Sequence, residues 1–317
     1  MSFPLRSLAA VACLLAPLAA FADDTSRNVP PYPALPFPPN TAHPQTLCGS
    51  LPTFEDVERY DGTLGVSTGY VSEYEDSTAQ IRWLAKSDIE EKLPDYVPGN
   101  VGGEKWCTGT LVRKNLFLTA SHCVQIQSNF GGGWVTPHRP KDGKVVFALP
   151  DVLATLLTVN FKYQIDGVSG TERAPDVYPV VRLVEYGFER KHVPDYKDGL
   201  DYAILEIGPN AQGKLPGDAH KLAPLKNRKP ALLETVAIFQ HPAGDPKKIE
   251  AGTVGDVVGA TVYYKDLDTL GGSSGSGIHD KDGFLIGVHT NGGCPYTGNA
   301  GVTYEAIARV SNALSAP

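Results

Sequence analysis

The chain is a succession of short apolar runs cut apart by turn formers. Examples are "GTLVRKNLFLTA", "YPVVRLVEYG", "DYAILEIG", "ETVAIFQHP", "TVGDVVGATVYY" and "GFLIGVHT", all bounded by Gly, Asp, Asn or Pro. Their Val, Ile and Tyr fit a pleated, half-buried surface, and the frequent turns leave little room for long helices. The abundance of turn formers, 33 glycines and 26 prolines against one methionine, pushes the same way. Many short strands with few helices predict an all-β fold, a closed barrel or sandwich, and 317 residues predict two of them. "DVLATLLTVNFKY" suits either a strand or a short helix. "YEAIARVSNAL" sets Ile307, Val310 and Leu314 at helical spacing and predicts a short C-terminal helix. No internal repeat is visible.

The first 22 residues read as an export signal rather than as fold. Arg6 precedes an apolar run from Leu8 to Leu18, and Ala20-Phe21-Ala22 forms a small-x-small cleavage site. Cleavage after Ala22 predicts a secreted or periplasmic protein. The run is too short to span a bilayer, and no later stretch is long enough, so no integral membrane segment is expected. Residues 23–47 include "NVPPYPALPFPPN", a proline density that excludes helix and sheet and marks a linker or pro-segment. Residues 48–317 then form the folded domain, with a division near residues 208–230. A net charge of −7 repels phosphates, so nucleic acid is not an expected partner. Beyond the leader lie Cys48, Cys107, Cys123 and Cys294. An even count in an exported chain predicts disulfides, and four cysteines allow three pairings. Their spacing fits no zinc site, "DYKDGLD" matches no calcium loop, and no metal or cofactor is expected.

Three segments can carry chemistry. In "WCTGTLVRKNLFLTASHCV", His122 ends an apolar strand beside Cys123. Cys107 and Cys123 flank a hairpin-like pair, so a bridge between them would fix the backbone of His122, and a fixed histidine suits general-base work. In "DGLDYAILEIG", Asp201 leads into an apolar run. A carboxylate there is either a turn residue or the orienter of a histidine. Asp195 and Asp198 are nearby alternatives in a loop-like context. In "LGGSSGSGIHD" a Gly/Ser run stands between two strand-like flanks, "ATVYYKDLDTL" and "GFLIGVHT". A solvated linker would have polar flanks. A glycine turn between buried strands can instead aim several N–H groups at one point, as an oxyanion site requires.

Together "LTASHC", "DYAIL" and "GGSSGSG" resemble the chymotrypsin-like serine peptidases, whose triad follows the order His, Asp, Ser. The likeness covers roughly residues 100 to 310. "YKDLDTLGGSSGSGIHDKDGFLIGVHTNGG" and "FQHPAGDPKKIEAG" are most similar to the bacterial glutamyl-endopeptidase branch and its lysyl-endopeptidase relatives. The resemblance implies two six-stranded antiparallel β-barrels with the active site between them, acting on protein or peptide substrates as a monomer. It implies Ser274 as nucleophile, His122 as base, Asp201 as its orienter, and the N–H groups of Gly272 and Ser274 as the oxyanion hole. It also implies Cys107–Cys123 and Cys48–Cys294 bridges. Ser273 stands where animal enzymes place an activation aspartate, so an amine-to-aspartate switch is not expected. Thr269, five before Ser274, and His289, fifteen after it, match the pair that binds a substrate glutamate in the glutamyl branch. Asp268 falls where trypsin places its pocket-floor aspartate, and would instead favour Lys or Arg. A catalytically silent binding module is the remaining alternative. Gly271 to Gly275 also satisfies the G-x-S-x-G elbow of α/β-hydrolases, with Asp280 or Asp282 and His289 following. That fold needs alternating helices and parallel strands, whereas this chain reads as mostly strands.

Overall fold

The computed structural model describes residues 47–128, 133–187 and 200–315. The expected leader, most of the proline-rich stretch, Asp195 and Asp198 lie outside them. A two-residue strand β1 (Glu55–Asp56) precedes a first barrel built from β2 (Thr78–Trp83), β3 (Lys105–Arg113) and β4 (Leu116–Thr119). A side hairpin, β5 (His138–Lys141) and β6 (Lys144–Phe147), intervenes before β7 (Leu157–Phe161), β8 (Asp176–Gly187) and β9 (Tyr202–Ile207) complete it. The second barrel comprises β10 (Thr235–Gln240), β11 (Lys248–Val258), β12 (Thr261–Tyr264), β13 (Gly277–Asp280), β14 (Leu285–Asn291) and β15 (Asn299–Thr303).

The first barrel closes in the order β2-β3-β4-β9-β8-β7, and β7 returns to β2. The second runs β10-β11-β12-β15-β14-β13, and β13 returns to β10. Numbered from its own start, each barrel has the same strand order, although no sequence repeat betrays it. Every ladder in both barrels is antiparallel, which excludes the α/β-hydrolase alternative. The last strand of the first barrel ends at Ile207 and the first of the second begins at Thr235.

Period-two alternation explains why several strands read as continuous apolar runs. In β4, Phe117 enters the first barrel's core while Leu118 joins a second cluster. In β9, Ala203, Leu205 and Ile207 face that core, and Tyr202 and Ile204 face the same second cluster. From the other barrel, Ile286 of β14 points into its own core, whereas Leu285 and Val288 join the shared cluster. These strands are therefore buried on both faces, one against their barrel core and one against the neighbouring barrel. Packing the two barrels through this seam brings segments of both together, and Thr108 N of the first donates to Ser274 O beside the second at 2.8 Å.

Local outcomes differ from the pattern in two places. "DVLATLLTVNFKY" is both elements in turn: a helical turn Pro150–Ala154 with proline at its start, then β7. The C-terminal helix Tyr304–Val310 is capped by Thr303, whose side chain accepts from Ala306 N. Ile307 and Leu314 are buried as expected, but Val310 is 53% exposed. The helix stops there, and Ser311 takes an extended conformation (ψ 121°) before a separate turn Asn312–Ser315. Val310 faces solvent in the last turn of this helix, and the break after it lets Leu314 join the seam.

Disulfides join Cys107 to Cys123 and Cys48 to Cys294, with sequence separations of 16 and 246. Loop-closure entropy makes these worth about 3 and about 5 kcal/mol against the unfolded chain. The second staples the segment around Cys48 across the second barrel.

Candidate active site

His122 sits in a single 3-10 turn, Ser121–Val124, immediately after β4. Its backbone is pinned by the Cys107–Cys123 bridge and by Trp106 Nε1, which donates to Cys123 O at 3.0 Å. Asp201 stands at the mouth of β9, the strand paired with β4, so the ladder carries the two residues to the same end. His122 Nδ1 lies 2.6 Å from Asp201 Oδ2. Asp201 Oδ1 accepts from Ser121 Oγ at 2.7 Å and from His122 N at 3.0 Å. Burial alone would raise the Asp201 carboxyl, but His122 and these donors outweigh it and hold it near 2. An ionised Asp201 keeps the proton of neutral His122 on Nδ1 and leaves Nε2 as the basic nitrogen. Cys107, His122 and Cys123 cluster closely enough to suggest a metal site, but both sulfurs are spent in the disulfide and offer no thiolate.

Ser274 lies in a turn braced against β3 and β4. Thr108 N donates to Ser274 O at 2.8 Å, and Cys123 Sγ lies 3.8 Å from the same oxygen. Thr108 follows Cys107, and Cys123 follows His122, so one bridge links both neighbours of the serine. Two glycines make this fit possible. Gly275 has φ 89°, and a Cβ there would meet Thr119 Oγ1 at 2.0 Å and Thr108 O at 2.2 Å. Gly272 has φ 98°, and its Cβ would meet His241 O at 2.5 Å. Only glycine tolerates both the space and the dihedral.

The amides of this turn divide into two sets. Ser273 N donates to Leu270 O, Gly275 N to His289 O, and Ser276 N to Ser273 O. The N–H groups of Gly272 and Ser274 have no acceptor among the described residues. They are the two the sequence nominates for an oxyanion. Ser273 is fully buried, and its Oγ accepts from Leu270 N at 3.2 Å, closing its own turn. Ser276 Oγ donates to Ser273 O at 2.6 Å.

His289 and Thr269 are both buried beside this turn. His289 N donates to Ser276 O at 2.8 Å, and its Nδ1 hydrogen-bonds the hydroxyl of Tyr264. Burial, reinforced by the charge of His122, pushes the His289 imidazole down to about 3, so it is neutral near pH 7. Tyr264 is fully buried and its phenol is pushed far up by burial. Its proton has no acceptor but His289 Nδ1 among the described residues. A buried donor left unmade is costly, which puts the histidine's own proton on Nε2. No sequence signal marked Tyr264, Ser121 or Thr108: each is an ordinary strand or turn residue whose partner is remote in the chain.

Asp268 is placed differently. Its Oδ1 accepts from Cys48 N at 2.6 Å, and its Oδ2 from Thr53 N at 3.0 Å. Thr53 Oγ1 lies 3.0 Å from Asp268 Oδ2 and 2.9 Å from Glu250 Oε2. One hydroxyl proton cannot serve two carboxylates. A protonated Glu250 resolves this by donating to Thr53, which donates to Asp268. Burial raises Glu250 from 4.5 to about 8, outweighing the lowering contacts from Thr53 and the Ala251 amide, and the charge of Asp268 adds to the rise. A raised folded-state value means that folding favours the proton, so stability is fully present below pH 4.5 and lost as pH rises toward 8. Glu250→Gln should therefore flatten the pH dependence of urea unfolding across that window. It should raise stability at pH 9 by about 1–4 kcal/mol. An unchanged urea midpoint at pH 9 would contradict the assignment.

No helix of the described residues is long and apolar enough to cross a membrane. Comparison with known proteins agrees with this architecture. Residues 107–288 match the family model for the trypsin-like peptidase domain. A glutamyl endopeptidase of Staphylococcus aureus (strain MW2) is 29% identical over 159 residues, 47% of this chain and 46% of the relative. One from Staphylococcus epidermidis is 28% identical over 138 residues, 41% of this chain and 49% of the relative. The chain thus spans about half the length of the curated relatives it matches. A solved Glu endopeptidase shares the fold, with a TM-score of 0.51 and 18% identity over 85% of this chain and 100% of that one. With the family model covering more than half of its length and both barrels in place, the chain belongs to the trypsin-like peptidase family.

Proposed function

We propose that this trypsin-like peptidase is an exported serine endopeptidase that cleaves after glutamate. The observation that carries the catalytic reading is the conjunction of Asp201 Oδ2 at 2.6 Å from His122 Nδ1 with the amides of Gly272 and Ser274, which have no acceptor among the described residues. In this mechanism Ser274 Oγ attacks the scissile carbonyl and its proton passes to His122 Nε2. Asp201 stabilises the resulting imidazolium. The carbonyl oxygen, now an anion, takes the N–H groups of Gly272 and Ser274. Collapse expels the amine with the proton from His122 and leaves an acyl-enzyme. Water then gives a proton to His122 Nε2 as it attacks the ester, and collapse of that second oxyanion releases the acid and returns the proton to Ser274 Oγ.

Thr269 and His289 are the residues we assign to the glutamate pocket. A neutral His289 with Nε2–H outward donates to a substrate carboxylate without carrying charge itself. Asp268 is a poorer candidate for reading Lys or Arg, because both its oxygens already serve Cys48 and Thr53. The disulfides suit an oxidising compartment, in keeping with export and cleavage after Ala22. A library of peptides differing only in Glu, Lys or Phe before the scissile bond tests the reading. Glu substrates should lead by at least about tenfold, and Ser274→Ala should abolish turnover. A Lys preference would remove the role given to His289 and restore Asp268. A folded, mature protein with no turnover on any peptide would favour a silent module.

A further inference from the structure

The hydroxyl of Thr108 lies between two groups that the reaction needs held still. Its Oγ1 donates to Gly272 O at 2.8 Å and accepts from His241 N at 3.0 Å. Its own N–H holds Ser274 O at 2.8 Å. One fully buried residue of the first barrel therefore grips the carbonyls of both residues whose N–H groups remain open.

The peptide planes explain why this matters. The Gly272 N–H shares a plane with the Gly271 carbonyl, so that carbonyl's partner decides where the N–H points. Gly271 O accepts from Ala243 N at 2.6 Å. Ala243 sits in a tight turn, His241–Gly244, with φ 56°, a left-handed value that costs energy outside glycine. Something must hold that turn. Gly244 N donates to His241 O, Gln80 Nε2 of β2 donates to Gly244 O at 2.9 Å, and Thr108 Oγ1 takes His241 N. The equivalent plane for Ser274 is locked by Ser276, whose N and Oγ both reach Ser273 O. Thus the 273–274 peptide has a local lock, whereas the 271–272 peptide depends on a turn braced from the first barrel.

We propose that Thr108 is a positioning residue for the oxyanion site: its hydroxyl joins the His241–Gly244 turn to Gly272, keeping the Gly272 N–H directed at the reacting carbonyl before substrate arrives. This brace supplies the order that Ser273 cannot supply through a charge. The inference rests on the proposed Ser274 reaction.

Thr108→Val keeps the shape and the backbone N–H but removes the hydroxyl. It should lower kcat by about 10- to 100-fold, less than deletion of an oxyanion donor, with KM within about twofold. Binding of a peptide aldehyde, whose hemiacetal oxygen occupies the same position, should weaken by the same factor. Thr108→Ser restores the hydroxyl and should recover kcat to within about threefold. If Thr108→Val does not fold, Thr108→Ala carries the same expectation. Wild-type kcat in either folded variant overturns the proposal. So does a kcat loss that Thr108→Ser fails to rescue, or one that leaves aldehyde affinity intact. Ser274→Ala, run alongside, separates the two readings: retained turnover there removes the nucleophile assignment, whatever Thr108 does.

Discussion

Asp201→Asn should lower kcat by about four orders of magnitude while leaving the protein folded. The carboxylate does three things at once. It accepts from His122 Nδ1, from the His122 amide and from Ser121 Oγ. An asparagine can keep one or two of these contacts, so the backbone of the turn survives. It can also donate to Nδ1, which moves the imidazole proton to Nε2 and removes the base. Because Asp201 is held near 2 against an ordinary 3.8, it is ionised at neutral pH. Its depressed value stabilises the fold above pH 3.8, and that stability is lost as pH falls through 2. The contribution is about 2 kcal/mol, from a difference of 3.8 − 2. Steady-state kinetics at neutral pH with a thermal melt of the same sample checks both parts. A loss below tenfold in a folded variant would show that His122 is not oriented this way.

The second large effect concerns the pocket. His289→Leu should reduce kcat/KM for a Glu substrate by about 100- to 1000-fold, and for a Phe substrate by little. The reason is a substrate carboxylate that loses one of its two donors and keeps only Thr269 in a buried site. Tyr264→Phe is the more discriminating variant. It leaves the histidine in place but frees Nδ1, so the imidazole can turn its lone pair toward the substrate. A loss of about tenfold, confined to Glu substrates, is expected. The low value of His289 adds a pH signature. If the neutral Nε2–H is the donor, the ratio of Glu to Phe turnover stays flat between about pH 6 and 9. A ratio that falls tenfold per unit would mean that an imidazolium is required.

Much of this was legible in the residues. The strands were legible because β-branched and aromatic runs bounded by glycine and proline have few other solutions. β4 and β9 read as solid apolar blocks because one face meets a barrel core and the other the seam. The triad candidates stood out because His122 and Ser274 lie in motifs whose flanks are strands rather than polar linker. What stayed hidden depends on contacts between distant segments. Nothing near Tyr264 announces that His289, twenty-five residues on, is its partner. Nothing near Asp268 announces that Cys48 and Thr53 occupy its oxygens. Val310 misled because it shares the helix with Ile307 but falls in its last turn and faces solvent, while Leu314 lies beyond the extended Ser311.

The most direct test of the account uses a peptidyl phosphonate ester with a glutamate side chain next to phosphorus. Such a reagent takes the place of the acyl group and forms a stable bond only with an activated nucleophile. Intact-mass and peptide mapping should find one adduct, on Ser274, with labelling lost in Ser274→Ala and slowed in Asp201→Asn. An adduct on Ser273 or Ser276, or a folded and mature protein that forms none, would contradict the central claim.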